Sequence, residues 1–268
     1  MSPNSNKMKS LITLSIVGFL LFTNFVCQPI DVRKSMVHFD QAFLPVLMHT
    51  YKGDMHQAKR AVFYLEFQWQ KLRNQHEFIR PEPEWQDAFR RIDEWLGDAY
   101  TAIDANDAKL AMAQLEHVRY EFMELRERFR INYYLDYLYD FQASAELLTE
   151  TAGDEMLCLM AWEELEQMAM DANAAWRDVQ YQPVDAVLYE LDAEKLARLD
   201  DHMQRVTGLM KNLNAAIETA DRAEVAQACK KLEPAFTEVL WVFGNINAST
   251  TYYAERKADN ININAIIR

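Results

Sequence analysis

Apolar residues recur every three or four positions along most of this chain. Met55, Ala58, Val62, Leu65, Trp69 and Leu72 form one such series, and Trp85, Phe89, Ile92, Leu96, Ala99 and Ile103 another. Ala111, Leu115, Val118, Phe122, Leu125 and Phe129 repeat it. In the second half it returns in Cys158–Val179, in Leu196–Ile217 and in Val225–Ile246. A spacing averaging about 3.5 places each series on one face of an α-helix, and the period-two alternation of a half-buried strand cannot produce it. A helix with one apolar stripe must bury that stripe against other helices. The chain is therefore read as all-α: tandem up-and-down four-helix units, about eight helices, in left-handed antiparallel packing. Only 6 Gly and 7 Pro among 268 residues leave little material for a loop-rich or β-sheet protein.

The polar punctuation agrees with the stripes. Asp54, Asp107, Asp154 and Asp221 stand where helices should begin, as residues able to accept bonds from unpaired first-turn N–H groups. Gly53 and Gly153 precede two of them, where the previous helix must stop. The chain also echoes itself. KGD at 52–54 matches AGD at 152–154, and Phe39-Asp40 matches Tyr139-Asp140, at an offset of 100. Ala102-Ile103, Asp107, Phe122, Glu124 and Phe129 match Ala216-Ile217, Asp221, Phe236, Glu238 and Phe243 at an offset of 114. The larger offset implies a longer hairpin in the second copy. The expected organisation is a first helical repeat over 35–131, a second over 132–247, and a weakly ordered, Asn-rich tail over 248–268. No breaker separates 107–131 from 133–152, so these two helices could run together.

The first 27 residues differ in kind. Lys7 and Lys9 precede LITLSIVGFLLFTNFVC at 11–27, a basic start and an apolar run that read as a signal peptide. Cleavage, lipidation at Cys27 and retention as a membrane anchor are the alternatives, and each implies an exported protein of the periplasm or cell envelope. The formal charge of −13 argues against nucleic acid as a partner and against an anionic membrane surface for the folded part. Membrane contact is expected only through the N-terminal segment or a lipid. Cys158 and Cys229 sit on core stripes of helices expected to lie diagonally across a bundle, too far apart for a disulfide, so two buried thiols are expected.

An exported up-and-down four-helix unit occurring twice over 35–247 resembles the periplasmic bundles of the cytochrome b562 and cytochrome c′ kind. The resemblance is architectural. It implies antiparallel helices around an aromatic-containing core, in which Trp69 and Trp176 would lie. It does not bring haem with it, because the chain has no Cys-x-x-Cys-His attachment motif.

Four stretches could carry chemistry. MHTYKGDMHQ at 48–57 holds two Met-His pairs around a tight turn, and Met48, His49, Met55 and His56 offer thioether and imidazole ligands suited to copper or zinc. The competing reading is a helix stop followed by an Asp cap, with Met55 in the core. Glu163, Glu164 and Glu166, and His117 with Glu121, have helical spacing but flank the stripes, so a solvated acidic face is expected. INYYLDYLYDF at 131–141 carries more tyrosines than one core can face, which places some at a seam between repeats or on a partner surface. No Gly-rich phosphate loop, Gly-x-Ser-x-Gly or His-Glu-x-x-His occurs. The functional expectation is a non-enzymatic binding or scaffold protein of the cell envelope, with a protein partner or self-association. The alternative is a metal- or haem-binding bundle with ligands at the first hairpin.

Overall fold

The computed structural model describes residues 31–76, 82–153 and 162–266, with side chains as far as Lys257. Among them the chain forms α1 (Val32–Tyr51), α2 (Met55–His76), α3 (Pro83–Asp104), α4 (Ala108–Arg128) and α5 (Tyr134–Gly153), then α6 (Trp162–Tyr181), α7 (Ala193–Glu218), α8 (Arg222–Phe243) and α9 (Ile246–Ile266). The N-terminal segment, Asp154 and Cys158 lie outside the described residues. No helix among the described residues is long and apolar enough to cross a membrane.

The helices close into two rings. In the first, α1 packs on α2, α2 on α3, α3 on α4 and α4 on α1; in the second, α5, α6, α7 and α8 do the same. The tandem four-helix architecture thus follows the apolar stripes closely. Phe39, Trp69 and Phe122 meet in the first core, with ring centroids 4.7–6.3 Å apart. Phe141 fills the second, 4.7 Å from Trp176 and 4.9 Å from Phe236. Cys229 is a buried free thiol there, its pKa pushed up to about 11 by burial.

Helix ends explain how turns form with so little glycine. Gly53 takes φ 71°, and the Asp54 N–H returns 2.9 Å to the His49 carbonyl, closing a left-handed helix stop. Asn106, Arg130, Glu190 and Ala220 adopt the same backbone at φ 60°, 53°, 54° and 54° without being glycine. Asp54, Asp107, Asp192 and Asp221 then cap the following helices through their carboxylates. Arg130 is what separates α4 from α5: the Ile131 N–H bonds the Arg126 carbonyl at 2.8 Å and the chain turns without a sequence breaker. A side chain in this backbone region costs about 1–2 kcal/mol. Ala220→Gly, which touches no core contact, should therefore raise the urea midpoint by the equivalent of about 0.5–1 kcal/mol.

The rings join along α1 and α8. Pro45 has no N–H, so the Gln41 carbonyl one turn earlier is left without its helical partner. The Asn245 N–H fills that vacancy at 2.8 Å. Gly244 lies against this kink, where a Cβ would stand in contact with Pro45 Cδ at 3.4 Å and Leu44 Cβ at 3.6 Å.

Residues 248–266 of the stretch expected as a weakly ordered tail are helical, and α9 packs on α2 and α1. Tyr252 stacks 5.1 Å from Phe67, and Tyr253 lies 5.4 Å from Phe63 and under the Arg60 guanidinium. Aromatic partners on another helix supply what the low apolar content of α9 does not.

Candidate functional site

Consecutive helices α4 and α5 belong to different rings. Each packs its apolar stripe into its own core, and the two meet only through long side chains. Arg119 reaches Gln142 at 2.9 Å, and one heptad on, Arg126 grips Asp136 through Nε at 2.8 and 3.0 Å. The space they span opens as a cleft of about 650 Å³. Its α4 wall carries Tyr120, Met123, Glu124 and Glu127; its α5 wall carries Asp136, Tyr137 and Asp140; Ile131, Asn132 and Tyr133 close the end. Four carboxylates and three tyrosines line it, and no lysine or arginine does.

Beneath this cleft lies a buried ionic network. Arg126 is 1 % exposed and stacks on the Tyr133 ring at 4.4 Å. The Tyr133 hydroxyl donates a 2.6 Å bond to Asp40 of α1. Burial raises the Asp40 carboxyl from 3.8 to about 6, although the Arg126 charge and the Tyr133 hydrogen bond oppose the rise. Burial also raises Asp136 and Asp140, against the pull of Arg126 on the first and with the added repulsion of Asp136 on the second. Burial and the charge of Asp40 push the Tyr133 phenol well above its usual range. Arg126 and Asp136 are thus paired in the floor of the cleft, and the open carboxylates are Glu124, Glu127 and Asp140 of its walls.

The connection between α6 and α7 folds over the same seam. Tyr189 lies 5.5 Å from Tyr133 and 5.4 Å from Phe243, and its hydroxyl accepts the Tyr134 N–H at 2.8 Å. Glu190 meets His38 at 3.2 Å and Gln41 at 3.4 Å. Tyr133, Tyr134 and Tyr139 are buried here, between the rings, while Tyr137 stays half-buried at the cleft.

The MHTYKGDMHQ residues take up different environments. Met48 and Met55 are buried, His56 is exposed, and the half-buried His49 ring lies edge-on to Trp241 of α8 at 5.5 Å. Burial lowers the His49 pKa. Among the described residues no group of three or more His, Cys, Asp or Glu is placed to hold a metal ion. Of the carboxylates expected on a solvated face, Glu163 and Glu164 are exposed and Glu166 accepts from Trp162 Nε1 at 3.0 Å. Glu121 departs from that expectation: it is 7 % exposed and held by Arg91, whose Nε lies 2.9 Å from Oε2, because α3 brings a cation to it. His117 stacks on Trp95 at 5.1 Å.

Asp40, Arg126 and Asp136 went unread in the sequence because each sits beside or within an apolar stripe. The available signals were Arg119 and Arg126, seven apart on α4, and Tyr120, Glu124 and Glu127 at helical spacing off the core stripe. No protein-family model, curated protein or solved structure matches the chain.

Proposed function

We propose that this chain is a non-enzymatic, exported binding protein of the cell envelope, and that it captures an organic cation in the cleft between α4 and α5. The observation that carries the reading is the lining itself: Glu124, Glu127 and Asp140 with Tyr120 and Tyr137, in a space of about 650 Å³ and with no basic side chain among the lining residues. Tyrosine faces attract alkylated ammonium groups through the ring quadrupole, at Tyr137 and at the side of Tyr120 not covered by the Arg119 guanidinium 5.3 Å from its ring, and carboxylates supply the long-range field. The volume suits a small ligand. Export is supported by the basic start and apolar run at 7–27.

Calorimetric titration with benzyltrimethylammonium tests this, with benzyl alcohol as the neutral control. One-to-one binding of the cation alone is expected, weakening as salt is added. Glu124→Gln with Glu127→Gln and Asp140→Asn should lower the affinity about tenfold or more, a loss of about 1.4 kcal/mol or more. Equal binding of cation and alcohol, or an unchanged affinity in the triple variant, would remove the reading.

A further inference from the structure

The face of α4 that lines this cleft has a counterpart on α8. Glu124, Glu127 and Asn132 line the cleft, and Glu238, Trp241 and Ile246, each 114 positions later, line a second depression of about 290 Å³. Its remaining lining reverses the charge. Lys52 comes from the first hairpin, and Arg198 and His202 come from α7. Where the first cleft sets Asp136 and Asp140 one helical turn apart, the second sets Arg198 and His202 one helical turn apart.

Three basic side chains converge here on a chain whose formal charge is −13. Glu238 is the single carboxylate of the lining, and among the described residues neither it nor any other carboxylate is in ion-pair contact with Lys52, Arg198 or His202. Lys52 instead lies 5.1 Å over the Trp241 ring. The Nδ1 atom of His202 is buried without a hydrogen-bond partner among the described residues, a position that a hydrogen-bonding ligand would satisfy.

We propose that this pocket is a second binding site, specific for a small oxyanion of the phosphate type, which Lys52, Arg198 and His202 bind together. A guanidinium offers paired N–H donors to such an oxyanion, an ammonium supplies a mobile charge, and the imidazole adds a directed donor. Because Lys52 belongs to the first ring and the other two to the second, the bound anion bridges the rings and holds the seam shut. The inference stands on residues separate from those of the cation cleft and does not depend on that reading.

The test is titration of the purified chain with inorganic phosphate, followed by calorimetry and by thermal unfolding. One-to-one binding and a rise in melting temperature with phosphate concentration are expected. Lys52→Gln combined with Arg198→Gln should weaken binding at least tenfold and abolish the phosphate-dependent rise while leaving the phosphate-free melting temperature nearly unchanged. Glu238→Gln should strengthen binding several-fold, a gain that a purely structural role for these residues would not give. Phosphatidylglycerol vesicles separate two sources of the same chemistry. Binding to vesicles that phosphate competes away assigns a lipid headgroup, and phosphate binding without vesicle binding assigns a dissolved anion. Absence of phosphate binding to the parent chain, or equal binding by the double variant, overturns the proposal.

Discussion

Arg126→Met is expected to lower stability by about 3–5 kcal/mol, the largest loss from any single replacement at the seam. The guanidinium is 1 % exposed and neutralises Asp136 directly while standing close enough to Asp40 to stabilise its charge. Methionine fills much of the space but leaves the buried Asp40 and the half-buried Asp136 without a cation. For a chain of this size the loss corresponds to a melting temperature lower by about 6–20 °C. Adding Asp136→Leu and Asp40→Asn to Arg126→Met should recover most of the loss, because removing the buried charges together costs far less than leaving one behind. Thermal unfolding of the two variants checks both statements. A loss below about 1 kcal/mol in the single variant would mean that water reaches the network.

Stability should also fall as the pH rises from 4 to 7, in part through one residue. Asp40 has an ordinary pKa of 3.8 in the unfolded chain and about 6 in the fold. Because the folded value is the higher one, the fold binds the proton more tightly. The contribution is complete below about 3.8 and is lost as the pH passes through about 6. The gap between those two values corresponds to a loss of about 3 kcal/mol. The groups facing Asp40 are Arg126, Tyr133 and Asp136, and Asp136 is raised by burial as well, so it adds to the trend with the same sign. Asp40→Asn keeps an oxygen for the Tyr133 hydroxyl and removes the titration. Its unfolding free energy should be higher than the parent's at pH 7, and its slope between pH 4 and 7 should be visibly flatter. A parallel slope in the two proteins would place the titration elsewhere.

The helices and their buried faces were legible, though not whether they close into one body or two, because a stripe repeating at 3.5 records which face of each helix is buried. Leu65, Trp69 and Leu72, or Leu115, Val118 and Phe122, say so without reference to any other helix. What joins the rings was not legible, because it depends on single residues whose partners are remote in sequence. Pro45 reads as a helix breaker, yet its missing N–H is what frees the Gln41 carbonyl for Asn245. Arg130 and Ala220 turn the chain where glycine would be expected. The Met-His pairs of 48–57 drew attention as ligands through residue type alone. Burial divides them: Met48 and Met55 face inward, His49 packs on Trp241 and His56 faces solvent. The cleft was half visible in the tyrosines of 131–141, but its acidic α4 wall looked like ordinary solvated helix surface. Only the divergence of α4 and α5 into separate rings turns the two into walls.

The central claim is that an organic cation enters between those walls. The most direct measurement is the NMR spectrum of ring-labelled tyrosine in the chain as benzyltrimethylammonium is added. The account predicts that the Tyr120 and Tyr137 resonances shift together and saturate, assigned by Tyr→Phe replacement, while Tyr252, packed against Phe67 of α2, stays still. Shifts absent from Tyr120 and Tyr137, or spread evenly over the exposed tyrosines, would contradict it.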